Sequence, residues 1–162
     1  MEIRISHTFP CTPKVYWETA WNPAFERELR AEAEVDFTIL EERVDADRTF
    51  TRTRISPRRE LPLLAQKALG QTRFSYVQEV DSDNSTFTTR WRVMADILPD
   101  RLRCAGVSRI VESGTGCERL IEGAIDVSIP LLGSSVERQI VSEIERSYEK
   151  AAEVIRRHLP RD

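Results

Sequence analysis

Apolar and polar positions alternate from the first residues of the chain. Ile3, Ile5, His7 and Phe9 fall on one side and Glu2, Arg4, Ser6 and Thr8 on the other, the two-residue period of a strand with one apolar face. Thr12-Pro13 then reads as an N-cap followed by proline at the first helical position, predicting a short helix through Val15, Tyr16 and Trp17 to about Ala20. Asn22-Pro23 restarts a second helix that carries Phe25 and Leu29. Val35, Phe37 and Ile39 alternate with Asp36, Thr38 and Leu40 in a second strand, and Ala46-Asp47-Arg48 is a turn. Thr49 to Ile55 is a third strand with threonines on one face and Phe50, Arg52 and Arg54 on the other, a pattern that leaves its inward face undecided. Strands resume at Thr72 to Val80, Thr86 to Met94, Leu102 to Val111 and Cys117 to Ile129, separated by turns at 81–84, 98–101 and 112–116.

The chain closes on a different period. Val136, Ile140, Val141, Ile144, Tyr148, Ala151, Ala152, Ile155 and Leu159 recur at steps of three and four, one face of a long helix. Ser134-x-x-Glu137 fits a capping box at its start, and Pro160 stops it. At about 1.5 Å per residue this helix is roughly 35 Å long, enough to cross a small sheet. Antiparallel strands at regular spacing must curl to bury one face, and this helix is the element long enough to cover it. The expected fold is α+β: a curved antiparallel sheet of about seven strands wrapped around a long C-terminal helix, with two short helices after the first strand, in one domain over residues 1–162. Where helix and sheet diverge, a gap suits an apolar ligand.

Composition narrows the function classes. An apolar content of 40% is enough for a full core in a chain of 162 residues. The 24 basic and 27 acidic residues are interspersed and sum to -3, so the basic field of a nucleic-acid binder is missing. No apolar run approaches the roughly 20 residues of a membrane span, and Met1 to Ser6 reads as a charged strand rather than a signal peptide, which predicts a cytoplasmic protein. Cys11, Cys104 and Cys117 are odd in number and lack metal-ligand spacing, fitting reduced, buried thiols. Nucleophile elbow, P-loop and metal-helix motifs are missing too, so no catalytic residue, cofactor or metal is assigned.

The last third carries a resemblance. Gly114-Thr115-Gly116, Gly123-Ala124-Ile125-Asp126-Val127 and Ile129-Pro130-Leu131-Leu132-Gly133 followed by Val136-Glu137 resemble the START-like superfamily of helix-grip domains, and within it a bacterial family of uncharacterised function. Thr12 to Phe25 is similar to that family's first helical pair, and Trp91 to its central-strand tryptophan. The superfamily includes lipid-transfer domains, polyketide cyclases and pollen-allergen-like proteins. The resemblance therefore implies a hydrophobic small molecule or lipid as partner, bound without catalysis; the alternatives are a polyketide cyclase or hydratase and a protein-interaction module.

Candidate ligand-facing positions follow from parity. His7 lies on the apolar side of the first strand, where imidazole offers a ligand hydrogen bond or is satisfied by backbone or water. Phe74 and Tyr76 share a face of one strand, and Phe87, Trp91 and Val93 a face of the next. Ile121 and Ile125 face the same way on the last strand, while Ile140, Ile144 and Tyr148 look inward from the helix. Glu118, Glu122 and Asp126 fall on the outer face, where Arg4 has the parity to pair with them. Residues 57–70, with Arg58, Arg59 and four leucines, form a candidate lid with at most transient membrane contact. Oligomeric state is left open.

Overall fold

Seven strands form one antiparallel sheet in the order β1-β7-β6-β5-β4-β3-β2 in the computed structural model, which describes residues 1–161. Along the chain the elements are β1 (Glu2–Phe9), α1 (Pro13–Ala20), α2 (Pro23–Ala33), β2 (Val35–Val44), β3 (Arg48–Pro57), α3 (Leu63–Leu69), β4 (Tyr76–Asp83), β5 (Thr88–Ala95), β6 (Leu102–Ser113), β7 (Gly116–Val127) and α4 (Gly133–His158). Strands β2 to β7 pair with their chain neighbours, and β1 returns to pair with β7. The helical pair α1–α2 spans the distance that a hairpin could not.

Local chemistry explains the ends of these helices. Thr12 Oγ1 accepts the Val15 N–H at 3.2 Å and Asn22 Oδ1 accepts the Ala24 N–H at 2.9 Å, each cap followed by proline at the first helical position. The candidate lid contains α3, which Gly70 ends in the left-handed conformation while its N–H bonds Gln66 O at 2.8 Å.

The capping box at α4 is not formed. The helix starts at Gly133, with Leu132 in the cap position and no side-chain cap, which puts Ser134 inside the first turn. Glu137 turns to the sheet instead, its Oε1 accepting the Val127 N–H at 2.9 Å where β7 ends. That N–H has no further strand to pair with, so the carboxylate satisfies it and ties helix to sheet.

Four strand boundaries also shift. Strand β4 begins at Tyr76 rather than Thr72 and runs to Asp83, because Asp83 Oδ1 accepts both the N–H (2.9 Å) and the hydroxyl (2.6 Å) of Ser85 and so sets the turn two residues later. Strand β5 begins at Thr88, and β7 ends at Val127 rather than Ile129. The undecided face of β3 is resolved by its neighbours: Thr49 and Ile55 are buried inward, while Arg52 reaches Glu79 (3.1 Å) and Arg54 reaches Asp96 (2.6 Å) on the outer face.

Helix α4 packs on β7 and β1, on α2 and on α3. Near its N-terminal end Val136 and Val141 join Ile3, Trp91, Cys104, Ile121 and Ile125 in one core cluster. Near its C-terminal end Ala152, Val154 and Ile155 join Phe9, Tyr16, Phe25, Ile110 and Cys117 in a second.

Candidate functional site

Strand register arranges the inner face of the sheet in rows. Thr51, Val80, Trp91, Gly106, Gly123 and Ile3 make one row across six strands. The indole of Trp91 lies over the two glycines: a Cβ at Gly106 would sit 2.8 Å from Trp91 Cε2, and one at Gly123 would sit 3.0 Å from Cζ2. Glycine is needed here for space rather than for backbone freedom. Trp91 is 5% exposed, yet among the described residues its Nε1–H has no hydrogen-bond partner.

Burial on this face is uneven. Ile3, Ile121 and Ile125 of β1 and β7 are sealed, whereas on β3–β5 Thr51, Thr53, Gln78, Val80 and Val93 are half-buried among the buried Thr49, Ile55, Ser82, Trp91 and Ala95. On the facing side Ile140, Ile144 and Tyr148 of α4 are half-buried too. Val80, Val93, Ile140, Ile144 and Tyr148 pack at the margin of the same core, and Leu61, Ala68 and Leu69 from the α3 segment pack there too.

Polarity changes along the strands. The row next to Trp91 holds Thr49, Ser82, Thr89 and Ser108 before it reaches Ile121 and Ile5. One row further, His7 stands opposite Arg119. Arg119 is 5% exposed, and its guanidinium donates to Tyr16 Oη (3.0 Å), His7 Nδ1 (3.0 Å) and the Tyr148 carbonyl (2.8 Å). It also lies over the rings of Phe9 and Tyr148, at 5.6 and 5.2 Å. Because Nδ1 of His7 accepts, its proton belongs on Nε2, which donates to Glu149 Oε2 at 2.8 Å. That hydrogen bond and the imidazole beside it hold the Glu149 carboxyl below its ordinary range. Burial pushes the Tyr16 phenol up against the opposing pull of Arg119, and pushes those of Tyr76 and Tyr148 up to about 12. The inner face is thus apolar against α3 and grades into hydroxyls and one buried cation at the α1 end.

The family described as "Protein of unknown function (DUF2505)" matches residues 4–159. The chain belongs to that family. No curated protein matches it. Solved structures similar to this DUF2505 chain include TTHA0849 from Thermus thermophilus, at 15% identity and TM-score 0.68 over 98% of this chain and 97% of that one. Ara h 8.0201 is similar at 10% identity and TM-score 0.65 over 96% and 97%, and the ZhuI aromatase/cyclase from Streptomyces sp. R1128 at 11% and 0.61 over 96% and 90%. At such identities the likeness is one of fold, and the fold is the helix-grip fold.

Among the positions picked out by parity, Trp91 lies in the core with Ile140, Ile144 and Tyr148 packed against it, and Tyr76 is half-buried. Phe74 lies in the loop before β4, its ring 5.7 Å from that of Tyr76. Phe87 departs from expectation. It sits in the β4–β5 turn with φ 53, which breaks the strand alternation, and packs on Trp17 (5.5 Å) at the other end of the molecule. On the outer face, Arg4 stands opposite Glu122 in register but pairs with Glu2 (3.3 Å), while Glu122 pairs with Arg109 (3.6 Å) and Glu118 accepts from Ser6. Arg58 and Arg59 of the lid segment pair with Asp36 and Glu143, leaving Leu63 and Leu64 exposed. Two surface depressions, one beside Gln66, Gly70 and Ser75 and one over Ser142, Glu145 and Lys150, lie away from this interior. Among the described residues, no helix is long and apolar enough to cross a membrane.

Arg119 is the residue that parity alone does not single out as a candidate. Its signal is present all the same: odd positions of the last strand run Cys117, Arg119, Ile121, Gly123, Ile125, so a cation interrupts an otherwise apolar face.

Proposed function

We propose that this chain binds a hydrophobic small molecule or lipid between the β3–β5 half of the sheet and α4, and that it does so without catalysis. One observation carries the reading: the strands that α4 packs on are β7 and β1, and on β3–β5 the inward Thr51, Thr53, Gln78, Val80 and Val93 stay half-buried. The buried and unpartnered indole N–H of Trp91 adds a donor on the same wall. Folds shared with Ara h 8.0201 and an aromatase/cyclase agree with a ligand-binding role. Burying about ten methylenes contributes on the order of 8 kcal/mol, and after several kcal/mol of ordering cost micromolar affinity is within reach. The lid segment, with Leu63 and Leu64 exposed, would touch a membrane transiently during exchange.

The cyclase or hydratase alternative would rest on His7 or Tyr76 as acid or base and gains less support. Both ring nitrogens of His7 are engaged, by Arg119 and Glu149, and burial pushes the Tyr76 phenol up to about 12.

The test is native mass spectrometry of freshly purified protein, followed by organic extraction and identification of what is released. A stoichiometric apolar molecule is expected, and Ile144→Trp, which adds bulk on the α4 side, is expected to lose it while remaining folded. A clean apo mass together with no uptake of fluorescent fatty-acid or sterol probes would turn the reading toward protein interaction.

A further inference from the structure

Resting on that reading, we infer that the bound molecule is an amphiphile carrying a carboxylate, which Arg119 holds at the α1 end while the apolar body lies toward Trp91 and α3.

The charge on Arg119 is the starting point. A buried cation is costly unless an anion meets it. Every group that accepts from Arg119 is neutral: a phenol, an imidazole nitrogen and a backbone carbonyl. Glu149 reaches it only through His7 and lies largely in solvent, with 57% of its side chain exposed. Two of its five N–H donors are left over among the described residues, a second one on Nη1 and the buried Nε–H, which has no partner at all. A guanidinium with neutral partners and spare donors is built to receive an acceptor with negative charge.

The surroundings give that acceptor a body. Tyr148 links the two compartments: its ring packs on Arg119, and its helix also carries Ile140 and Ile144 past the half-buried face of β4 and β5. Moving from Arg119 toward α3, the rows change from His7 and Tyr16, through Thr49, Ser82, Thr89 and Ser108, to Val80, Trp91 and Val93. The α3 segment closes this end with Leu61, Ala68 and Leu69. A neutral hydrocarbon would leave the spare donors of Arg119 unmet, and a small polar anion would make no use of the apolar rows. A carboxylate on an alkyl chain or on an aromatic ring system matches both.

Calorimetric titration of the full chain tests this with two matched pairs: dodecanoate against dodecanol, and 2-naphthoate against 2-naphthol. In the wild-type protein the acid of at least one pair is expected to bind about tenfold to a hundredfold tighter than its alcohol, the range of one charge-assisted hydrogen bond. Arg119→Gln is expected to bring acid and alcohol of the pair to equal affinity, with Arg119→Lys retaining part of the preference. The pair with the larger preference separates an alkyl from an aromatic ligand. Equal affinity for acid and alcohol in the wild-type protein would overturn the carboxylate assignment and leave the pocket standing, without depending on any variant folding. A preference that survives Arg119→Gln would overturn the role of Arg119. Uptake of none of the four probes would overturn the pocket reading and this inference together.

Discussion

The contact between Trp91 and the glycine pair makes a sharp quantitative test of how the inner wall is built. In Gly106→Ala the new methyl would overlap Trp91 Cζ2, sit 2.8 Å from Cε2 and stand 2.5 Å from the Glu122 carbonyl oxygen. Ordinary contact begins near 3.4 Å, so the ring must shift by roughly 1 Å and the β6–β7 ladder must also give. Overpacking of this kind costs about 1–3 kcal/mol for a side chain that must move. With a backbone carbonyl also in the way, a loss of about 3 kcal/mol is expected, read as a lower urea midpoint at unchanged slope. In a Trp91→Leu background the ring contact is gone and the Glu122 contact remains, so the same alanine should cost about half as much. The coupling of about 1–1.5 kcal/mol falls in the range for residues in direct contact. A cost below about 0.5 kcal/mol in the wild type, or an equal cost in both backgrounds, would refute the claim that the indole is seated on these glycines.

Two further outcomes bear on the packing. Burial raises the Glu79 carboxyl, but hydrogen bonds from Arg92 (2.9 Å) and Arg52 (3.1 Å) outweigh it and hold the group below its ordinary range. A carboxyl depressed in the folded state contributes stability that is present above its unfolded value, near pH 4, and is lost as pH falls through the folded one. Glu79→Gln should therefore lower the melting temperature at neutral pH and flatten its decline in acid, and parallel acid profiles would count against the assignment. At the start of α4, Ser134→Ala should change stability by less than about 0.5 kcal/mol because no side-chain cap exists, whereas Glu137→Ala should cost about 1–2 kcal/mol by stripping the Val127 N–H of its acceptor. Equal losses in urea unfolding would restore the capping box.

Much of the sheet's inner face is legible from parity, and the departures have physical causes. Trp91, Ile144 and Tyr148 lie on inward faces because a strand repeats every two residues and a helix every 3.6, whatever surrounds them. Phe87 leaves its expected face because Asp83 captures Ser85 and moves the turn, a local hydrogen bond that competes with alternation. Ser134 and Glu137 match a cap in spacing, yet the end of β7 offers the carboxylate a better donor.

The sequence by itself determined the order of elements, the periodicity of each and hence the inner and outer faces, because those depend on neighbours within a few residues. Only the tertiary structure decided that α4 packs on β1 and β7, and that Arg119, Tyr16, His7 and Tyr148, drawn from opposite ends of the chain, meet at one buried cation. Such convergence depends on the register between strands and on the placement of one helix over them, and no local pattern encodes either.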